Sequence, residues 1–422
     1  MVSFISSDIK DIFTIKLKTR QDDYTDQFSR IFMVKMFMVS ALVMGFDWFQ
    51  DTVNCMIPDI DLHKVGEDFV HSACWIQGFY VYPQLSELIG ETNYYGIPKD
   101  ISKNGVNAKG QLCEMKQGQY GEYDDCMELR RLYFLQYQWM PFFVASAAII
   151  YYLPYIIYQI FNTDVQSLKE TIQKEKVNGG DIVENFFNYD INTIFQMRFN
   201  VLMNLVVKIL YLAVNLGVFY LTDHLLNGGF QLYGKNWLDW AALPNQESYD
   251  FKTGTSVKPG DVLLPTFGFC EIYESSSTKT FKYNNKSKFI CEISLNVMYQ
   301  YIFIILWFFM LAGIFISAFG ILHNIAGHTI TVIYFIRESP SAKALFRSLS
   351  FRECEYLSVI RHQDSQLYHD VMERIRLKRP ELAKFSVNGK INAPPLSALN
   401  CDTYKETAFK EGSIYHGNLN ML

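Results

Sequence analysis

The sequence predicts an all-α membrane protein: a bundle of four transmembrane helices with a disulfide-stapled extracellular cap and a mostly helical cytoplasmic domain. Three observations support this class: an apolar composition, four long apolar segments, and six cysteines confined to two of the loops between those segments. Half of the 422 residues are hydrophobic and 19% are charged, whereas an average soluble domain has roughly 25% charged residues. The net charge of -5 and the scattered basic residues do not favour nucleic-acid binding.

Each of the four apolar segments is long enough to cross a bilayer as a helix, which takes about 20 residues. Lys35 lies near the cytoplasmic end of the first segment, and Lys208, inside the third, needs a partner or an aqueous wall. Pro154 in the second is tolerated where neighbouring groups satisfy the freed carbonyl. The predicted order is N-terminal segment (1–30), first span (31–49), first loop (50–136), second span (137–161), cytoplasmic loop (162–200), third span (201–222), second loop (223–300), fourth span (301–322) and C-terminal region (323–422).

Charge sets the orientation of these spans. The first 30 residues are charged and lack the apolar core of a secretory signal, so the first span is expected to stay in the mature protein. Basic residues precede the first span and follow the fourth, which places both termini in the cytoplasm and both long loops outside the cell. The expected location is therefore the plasma membrane, with several passes.

The cysteines follow the same division. Six lie in the two predicted extracellular loops, where a disulfide framework is expected, and the remaining two, Cys354 and Cys401, lie in the predicted cytoplasmic tail. Bridges between the two loops would close the longer stretches of chain and stabilise more, but each loop closing on itself remains an alternative. The loop cysteines are Cys55, Cys74, Cys113, Cys126, Cys270 and Cys291. None has CxxC spacing, so a metal site is not expected.

A short motif opens the second span. Residues 136–141 read Gln-Tyr-Gln-Trp-Met-Pro, which closely resembles the Tyr-Tyr-Gln-Trp-Val signature of innexins, the invertebrate gap-junction proteins. Two cysteines per loop and a proline in the helix after the motif are similar to that family as well, and the resemblance covers roughly residues 1–340. The departures are Gln136, Met140 and the additional pair Cys113 and Cys126. The motif residues are Tyr137, Gln138, Trp139, Pro141 and Pro154, and anchoring the helix at the headgroups would also explain the aromatic ones.

The resemblance implies a function and a disulfide pairing. Innexin-type subunits form rings of about eight around a pore, called hemichannels, and two rings in apposed membranes dock through their caps, so that ions and small metabolites pass between cells. The implied pairs are Cys55 with Cys291 and Cys74 with Cys270, which leaves Cys113 with Cys126. Partners would be other copies or related innexins, an apposed hemichannel and membrane lipids, with no nucleic acid and no cofactor. The alternatives are an undocked pannexin-like hemichannel and a four-span adhesion or scaffold protein.

Three groups of residues are candidates for specific roles. In innexins the N-terminal segment folds into the pore mouth, which suggests a funnel role for Met1, Val2, Ser3, Phe4 and Ile5; a disordered tip is the alternative. Asp47 and Asp51, repeated around a ring, would place negative charge at the pore entrance and favour cations, although solvated carboxylates would serve no such role. Asn285-Lys286-Ser287 is a glycosylation sequon in the second loop. The sequence contains no arrangement typical of an enzyme.

Overall fold

A computed structural model describes residues 24–50, 53–57, 66–87, 91–115, 126–173, 177–189, 191–245, 257–274, 285–338 and 349–378. Helices make up most of this part of the chain. In chain order they are α1 (Tyr24–Gln27), a π-helical turn (Phe28–Met33), α2 (Val34–Gln50), α3 (Glu67–Gln77), α4 (Met140–Phe161), α5 (Thr163–Ile172), α6 (Gly179–Phe186), α7 (Ile194–Leu225), α8 (Tyr233–Ala241), α9 (Pro259–Leu263), α10 (Ser294–Glu338), α11 (Phe351–Gln363) and α12 (Ser365–Lys378).

Four helical stretches are long and apolar enough to cross a membrane: Tyr24–Phe46, Met140–Phe161, Ile194–Leu225 and Ser294–Ala326. These four helices in a mostly helical chain confirm the predicted fold class. Several helices extend past the predicted spans, and α10 has 45 residues. At 1.5 Å per residue it is about 68 Å long, roughly twice the hydrocarbon thickness of a bilayer. The helix ends therefore do not mark the membrane boundaries, which stay predictions.

The chain forms two compact units, the first built mainly from Ile31–Tyr151 with Val214–Ile314, and the second mainly from Tyr152–Ala213 with the chain after Phe315. The first unit contains a five-stranded antiparallel sheet that the sequence did not predict. The strands of the described residues, in chain order, are β1 (Asn54–Met56), β2 (Phe79–Val81), β3 (Thr92–Tyr94), β4 (Ile97–Pro98), β5 (Gly105–Val106), β6 (Leu112–Cys113), β7 (Met127–Glu128), β8 (Leu132–Phe134), β9 (Phe267–Glu274) and β10 (Asn285–Glu292). The five-stranded sheet has the order β1-β10-β9-β2-β8, while β3 and β4 form a two-stranded sheet and β6, β5 and β7 a three-stranded one.

This sheet mixes strands from both long loops. β1, β2 and β8 belong to the loop between the first two spans, whereas β9 and β10 form a hairpin in the loop before the fourth span. The two loops are thus joined through backbone hydrogen bonds. The core beneath the sheet consists of Tyr80, Tyr82, Leu85, Ile97, Leu129 and Phe269.

The second unit has its own apolar core between the short helices α5, α6, α11 and α12. Ser350 begins α11 with a capping box, in which its hydroxyl accepts from the helix and the Glu353 carboxylate accepts the Ser350 backbone N–H. Asn178 caps α6 in a similar way by accepting from Gly180. The central residues of the core include Leu168, Ile182, Phe186, Tyr356, Ile360 and Val371.

Candidate functional site

Three disulfides lie in the loops of the first unit. The structure joins Cys55 of β1 to Cys291 of β10, and Cys74 of α3 to Cys270 of β9. Both bridges link the first loop to the second, across 236 and 196 residues of sequence. A third bridge joins Cys113 to Cys126 within the first loop, 13 residues apart. The structure therefore has the same pairs that the innexin resemblance implied.

The two inter-loop bridges lie side by side. The sulfur atoms of Cys55, Cys74 and Cys291 are all within 4.8 Å of one another. Cys74 and Cys291 are fully buried, and Cys55 is partly exposed. Because these sulfurs are bonded in disulfides, they do not offer the thiolates that a metal ion would need. The Cys74–Cys270 bridge instead joins α3 covalently to the sheet, and the Cys55–Cys291 bridge joins the sheet strands β1 and β10.

A polar network fixes the sheet near these bridges. The Tyr80 hydroxyl donates to Glu271 Oε1 at 2.5 Å, and Arg131 donates to the other carboxylate oxygen at 3.1 Å. Burial raises the pKa of the Tyr80 hydroxyl, and its bond to Glu271 raises it further. The Lys288 ammonium lies 3.7 Å from the centroid of the Phe269 ring. These contacts stiffen the strands that carry Cys270 and Cys291.

The innexin-like motif lies in a short 3₁₀ turn (Gln136–Gln138) immediately before α4. The Tyr137 hydroxyl donates to the Trp75 carbonyl at 2.6 Å, and Gln138 Nε2 donates to the same carbonyl at 2.6 Å and to that of Ile76 at 3.2 Å. Both carbonyls belong to the last turn of α3, where backbone carbonyls have no N–H donor within the helix. The motif thus caps α3 from a distance of about 60 residues in sequence, a role that the sequence did not indicate.

The other motif residues have simpler surroundings. Trp139 is partly exposed, as expected of an interfacial anchor. Pro141 is in the first turn of α4, where its missing N–H costs no intrahelical bond. α4 continues as a helix through Pro154.

The structure describes the candidate pore and glycosylation residues only in part. Met1–Ile5 and Asp51 lie outside the described residues. Asp47 is near the C-terminal end of α2, but its side chain is likewise outside the described part. Asn285 begins β10, where its backbone pairs with Glu274 of β9.

Lys208 of α7 forms a buried ion pair with Asp26 of α1. Its ammonium lies 3.2 Å from the Asp26 carboxylate, and both residues are almost completely buried. The hydroxyls of Ser29 and Ser317 approach to 3.5 Å within the same unit. The sequence predicts that Lys208 has either a partner or an aqueous wall. The structure gives it a partner, Asp26, which is 182 residues away in sequence.

A second buried charge cluster, which the sequence did not indicate, surrounds Arg352. Its guanidinium binds both oxygens of Asp164, at 3.0 and 2.6 Å, and donates to Asn162 Oδ1 at 2.8 Å. Asn162 in turn donates to Asn204 Oδ1 of α7 at 2.8 Å. Burial alone would raise the pKa of the Asp164 carboxyl, but Arg352 and the Tyr356 hydroxyl hold it below its ordinary value.

Comparisons with known proteins give the family. The family model described as Innexin matches residues 22–377. Innexin inx2 of Drosophila melanogaster is 22% identical over 292 residues, which cover 68% of this chain and 69% of that protein. Innexin inx2 of Schistocerca americana is 20% identical over 297 residues (68% and 70%), and innexin inx3 of Drosophila melanogaster is 19% identical over 305 residues (70% and 66%).

The family match includes the four long apolar helices and the three disulfides described above. Innexins are channel proteins rather than enzymes, and they assemble from several subunits. The expected family is therefore confirmed: this chain belongs to the innexin family and is a multi-pass plasma-membrane subunit of a gap-junction or hemichannel assembly.

Proposed function

We propose that this chain forms a ring of about eight copies, or of copies with related innexins, around a large pore that passes ions and small metabolites. The observation that carries the proposal is the pair of inter-loop disulfides set between four apolar helices in an innexin chain. Two covalent bridges hold the loops as one stiff body. Such a body suits a channel cap that must keep its shape around an aqueous opening.

The proposed orientation places both termini in the cytoplasm and both disulfide-bonded loops outside the cell. Disulfides persist in oxidising compartments, and all six bonded cysteines belong to these two loops. Non-reducing peptide mapping of protein from the cell surface should recover Cys55 with Cys291 and Cys74 with Cys270. Recovery of Cys55 joined to Cys74 would overturn the pairing.

Asp47 and Asp51 are proposed to give the pore a preference for cations, with Met1–Ile5 forming a funnel at its cytoplasmic mouth. Asp47 is near the end of α2, where a ring would repeat its charge once per subunit. The test is the reversal potential under a salt gradient, with Asp47→Asn and Asp51→Asn combined. The double variant should lose cation preference; an unchanged reversal potential would remove these residues from the pore.

The sequon bears on whether two rings dock. Asn285 lies at the far end of the eight-residue β9–β10 ladder, whereas the near end at Glu292 leads into α10. At about 3.3 Å per residue, the ladder is roughly 26 Å long, and Asn285 is at the end that does not lead into α10. A sugar on Asn285 would therefore project from the cap and hinder docking, which favours undocked hemichannels. A gel mobility that glycosidase does not change would show the sequon to be empty.

One cell assay separates the possible functions. A small fluorescent dye is followed in paired cells that both express the protein, and in isolated cells that express it. Transfer between cells indicates docked channels, and uptake by isolated cells alone indicates hemichannels. Cells that adhere without either transfer or uptake would support an adhesion or scaffold protein and overturn the proposal.

A further inference from the structure

The hydrogen bonds of the innexin-like motif do more than anchor one helix. The last-turn carbonyls of Trp75 and Ile76 are held by Tyr137 and Gln138, as described above. One residue earlier, Cys74 is bonded to Cys270 of the sheet. The C-terminal end of α3 is therefore fixed twice: covalently to the sheet and by hydrogen bonds to the start of α4.

The same end of α3 reaches the first span through aromatic rings. The Trp75 ring lies 4.7 Å from that of Tyr137 and 6.3 Å from that of Trp48, measured between centroids. Trp48 also contacts Phe142 of α4 edge-on at 5.9 Å. Trp48 is in the last turn of α2, next to Asp47. The ring contacts define an aromatic cluster, which consists of Trp48, Trp75, Tyr137 and Phe142.

We propose that Tyr137 and Gln138 are positioning residues that hold the last turn of α2 in its open-pore position, by fixing Trp75 against Trp48. This inference rests on the proposed function, because it takes the end of α2 to lie at the pore entrance. Their donors fix the carbonyl of Trp75, and the Trp75 ring transmits that position to Trp48. Without the donors the C-terminal end of α3 keeps only its disulfide to the sheet. The Trp75 ring and the last turn of α2 that it contacts then gain freedom.

The chemistry of Gln138 provides a reversible test. Gln138→Glu keeps the shape of the side chain but replaces an amide that donates with a carboxylate that only accepts. That carboxylate would face two carbonyl oxygens, at the 2.6 and 3.2 Å now bridged by the amide. It would also face the Tyr137 hydroxyl, whose oxygen lies 3.4 Å from Gln138 Nε2 and whose proton is donated to the Trp75 carbonyl. Protonation restores one donor, and the neighbouring carbonyls favour the protonated form. Mild acid should therefore rebuild the contact in this variant alone.

Gating is recorded from single channels of the full-length protein near neutral pH and at about pH 5, with each variant compared with wild type at the same pH. A net hydrogen bond shifts an equilibrium by roughly fivefold. Gln138→Glu, which loses two, should lower the ratio of open to closed time by about 25-fold near neutral pH, and acid should return it toward wild type. Gln138→Met, with no titratable group, should be impaired at both pH values.

A neighbouring glutamine gives the matched control for added charge. The Gln136 side-chain oxygen accepts the adjacent Leu135 N–H at 3.0 Å, and a carboxylate at that position can still accept it. Gln136→Glu should therefore show no acid-dependent recovery. If Gln138→Glu fails to reach the surface, Tyr137→Phe keeps the test open, since it removes one donor and preserves the ring. It should lower the open-to-closed ratio by roughly fivefold.

The outcomes separate the two claims. Wild-type channels that conduct, with Gln138→Glu and Tyr137→Phe gating as wild type does, would overturn this inference and leave the proposed function intact. Equal impairment of Gln138→Glu at both pH values would also overturn it, because the donor would then not be the property that matters. Wild-type protein at the surface that never conducts would overturn the proposed function, and the inference with it.

Discussion

The Arg352 cluster offers a quantitative test of what holds the second unit together. Arg352 is 1% exposed and makes four hydrogen bonds, to Asp164, Asn162 and Glu355. Arg352→Ala leaves the Asp164 carboxylate without its cation. Removing one partner of a buried pair costs about 3–5 kcal/mol. Because the Asp164 side chain is 22% exposed, water can solvate it in part. We therefore expect a loss of about 2–3 kcal/mol.

Hydrogen exchange of the backbone amides of α11 measures this loss directly in the full-length protein in detergent. If these amides exchange through opening of the second unit, 2–3 kcal/mol should speed their exchange by about 30- to 150-fold. The α3 amides in the first unit should exchange as in wild type. The thermal transition of the purified protein should also shift downward.

Arg374 provides the matched control. It pairs with Asp370 at 2.8 Å, as Arg352 pairs with Asp164, but the side chains of Arg374 and Asp370 are each 43% exposed. Exposed pairs contribute little, so Arg374→Ala should leave exchange in α11 unchanged. Equal exchange rates of the α11 amides in the two variants, or wild-type exchange of α11 in Arg352→Ala, would contradict the prediction. Burial would then not be what makes the Arg352 pair more stabilising than the Arg374 pair.

Further tests concern the Lys208–Asp26 ion pair, the titration of Asp164 and the Cys113–Cys126 bridge. Lys208→Leu should lower thermal stability, because it leaves the buried Asp26 carboxylate without its cation. Combining it with Asp26→Leu should recover most of the loss, since no buried charge then lacks its partner. A double variant with lower thermal stability than the single variant would contradict this. Because the folded pKa of Asp164 is below its ordinary value of 3.8, its stabilisation is present above that value and lost as pH falls through the folded pKa. Protection of α11, corrected for intrinsic exchange, should thus be constant down to about pH 5 and fall below about pH 4. The double variant Cys113→Ser with Cys126→Ser should be cleaved faster by proteases between these positions, because the bridge no longer closes that local loop. The oligomer should stay intact in size-exclusion chromatography. Dissociation into monomers would contradict this prediction.

The sequence predicted the four spans because each is a long apolar segment, a signal that does not depend on contacts elsewhere. The five-stranded sheet was missed for the opposite reason. β1, β2 and β8 have three residues each, too few for an alternating pattern to be recognised. Their stability comes from pairing with the longer β9–β10 hairpin, which is distant in sequence.

The parts of the candidate site differ in the same way. Compartment and number of cysteines were enough to expect disulfides, but only the resemblance to innexins suggested which ones pair. The sequence identifies Gln138 as part of the family motif, but its acceptors are the carbonyls of Trp75 and Ile76, which no side-chain pattern reveals. The sequence identifies Lys208 as a charge that needs a partner or an aqueous wall. Only the fold identifies Asp26 as that partner.

The most direct test of the channel itself is electrical. The purified full-length protein is reconstituted into planar bilayers and, in parallel, into liposomes loaded with a small dye. We expect unitary currents much larger than those of narrow ion-selective channels, together with release of the dye. Protein that inserts as rings of subunits, and yet passes neither current nor dye under any tested voltage or calcium concentration, would contradict it.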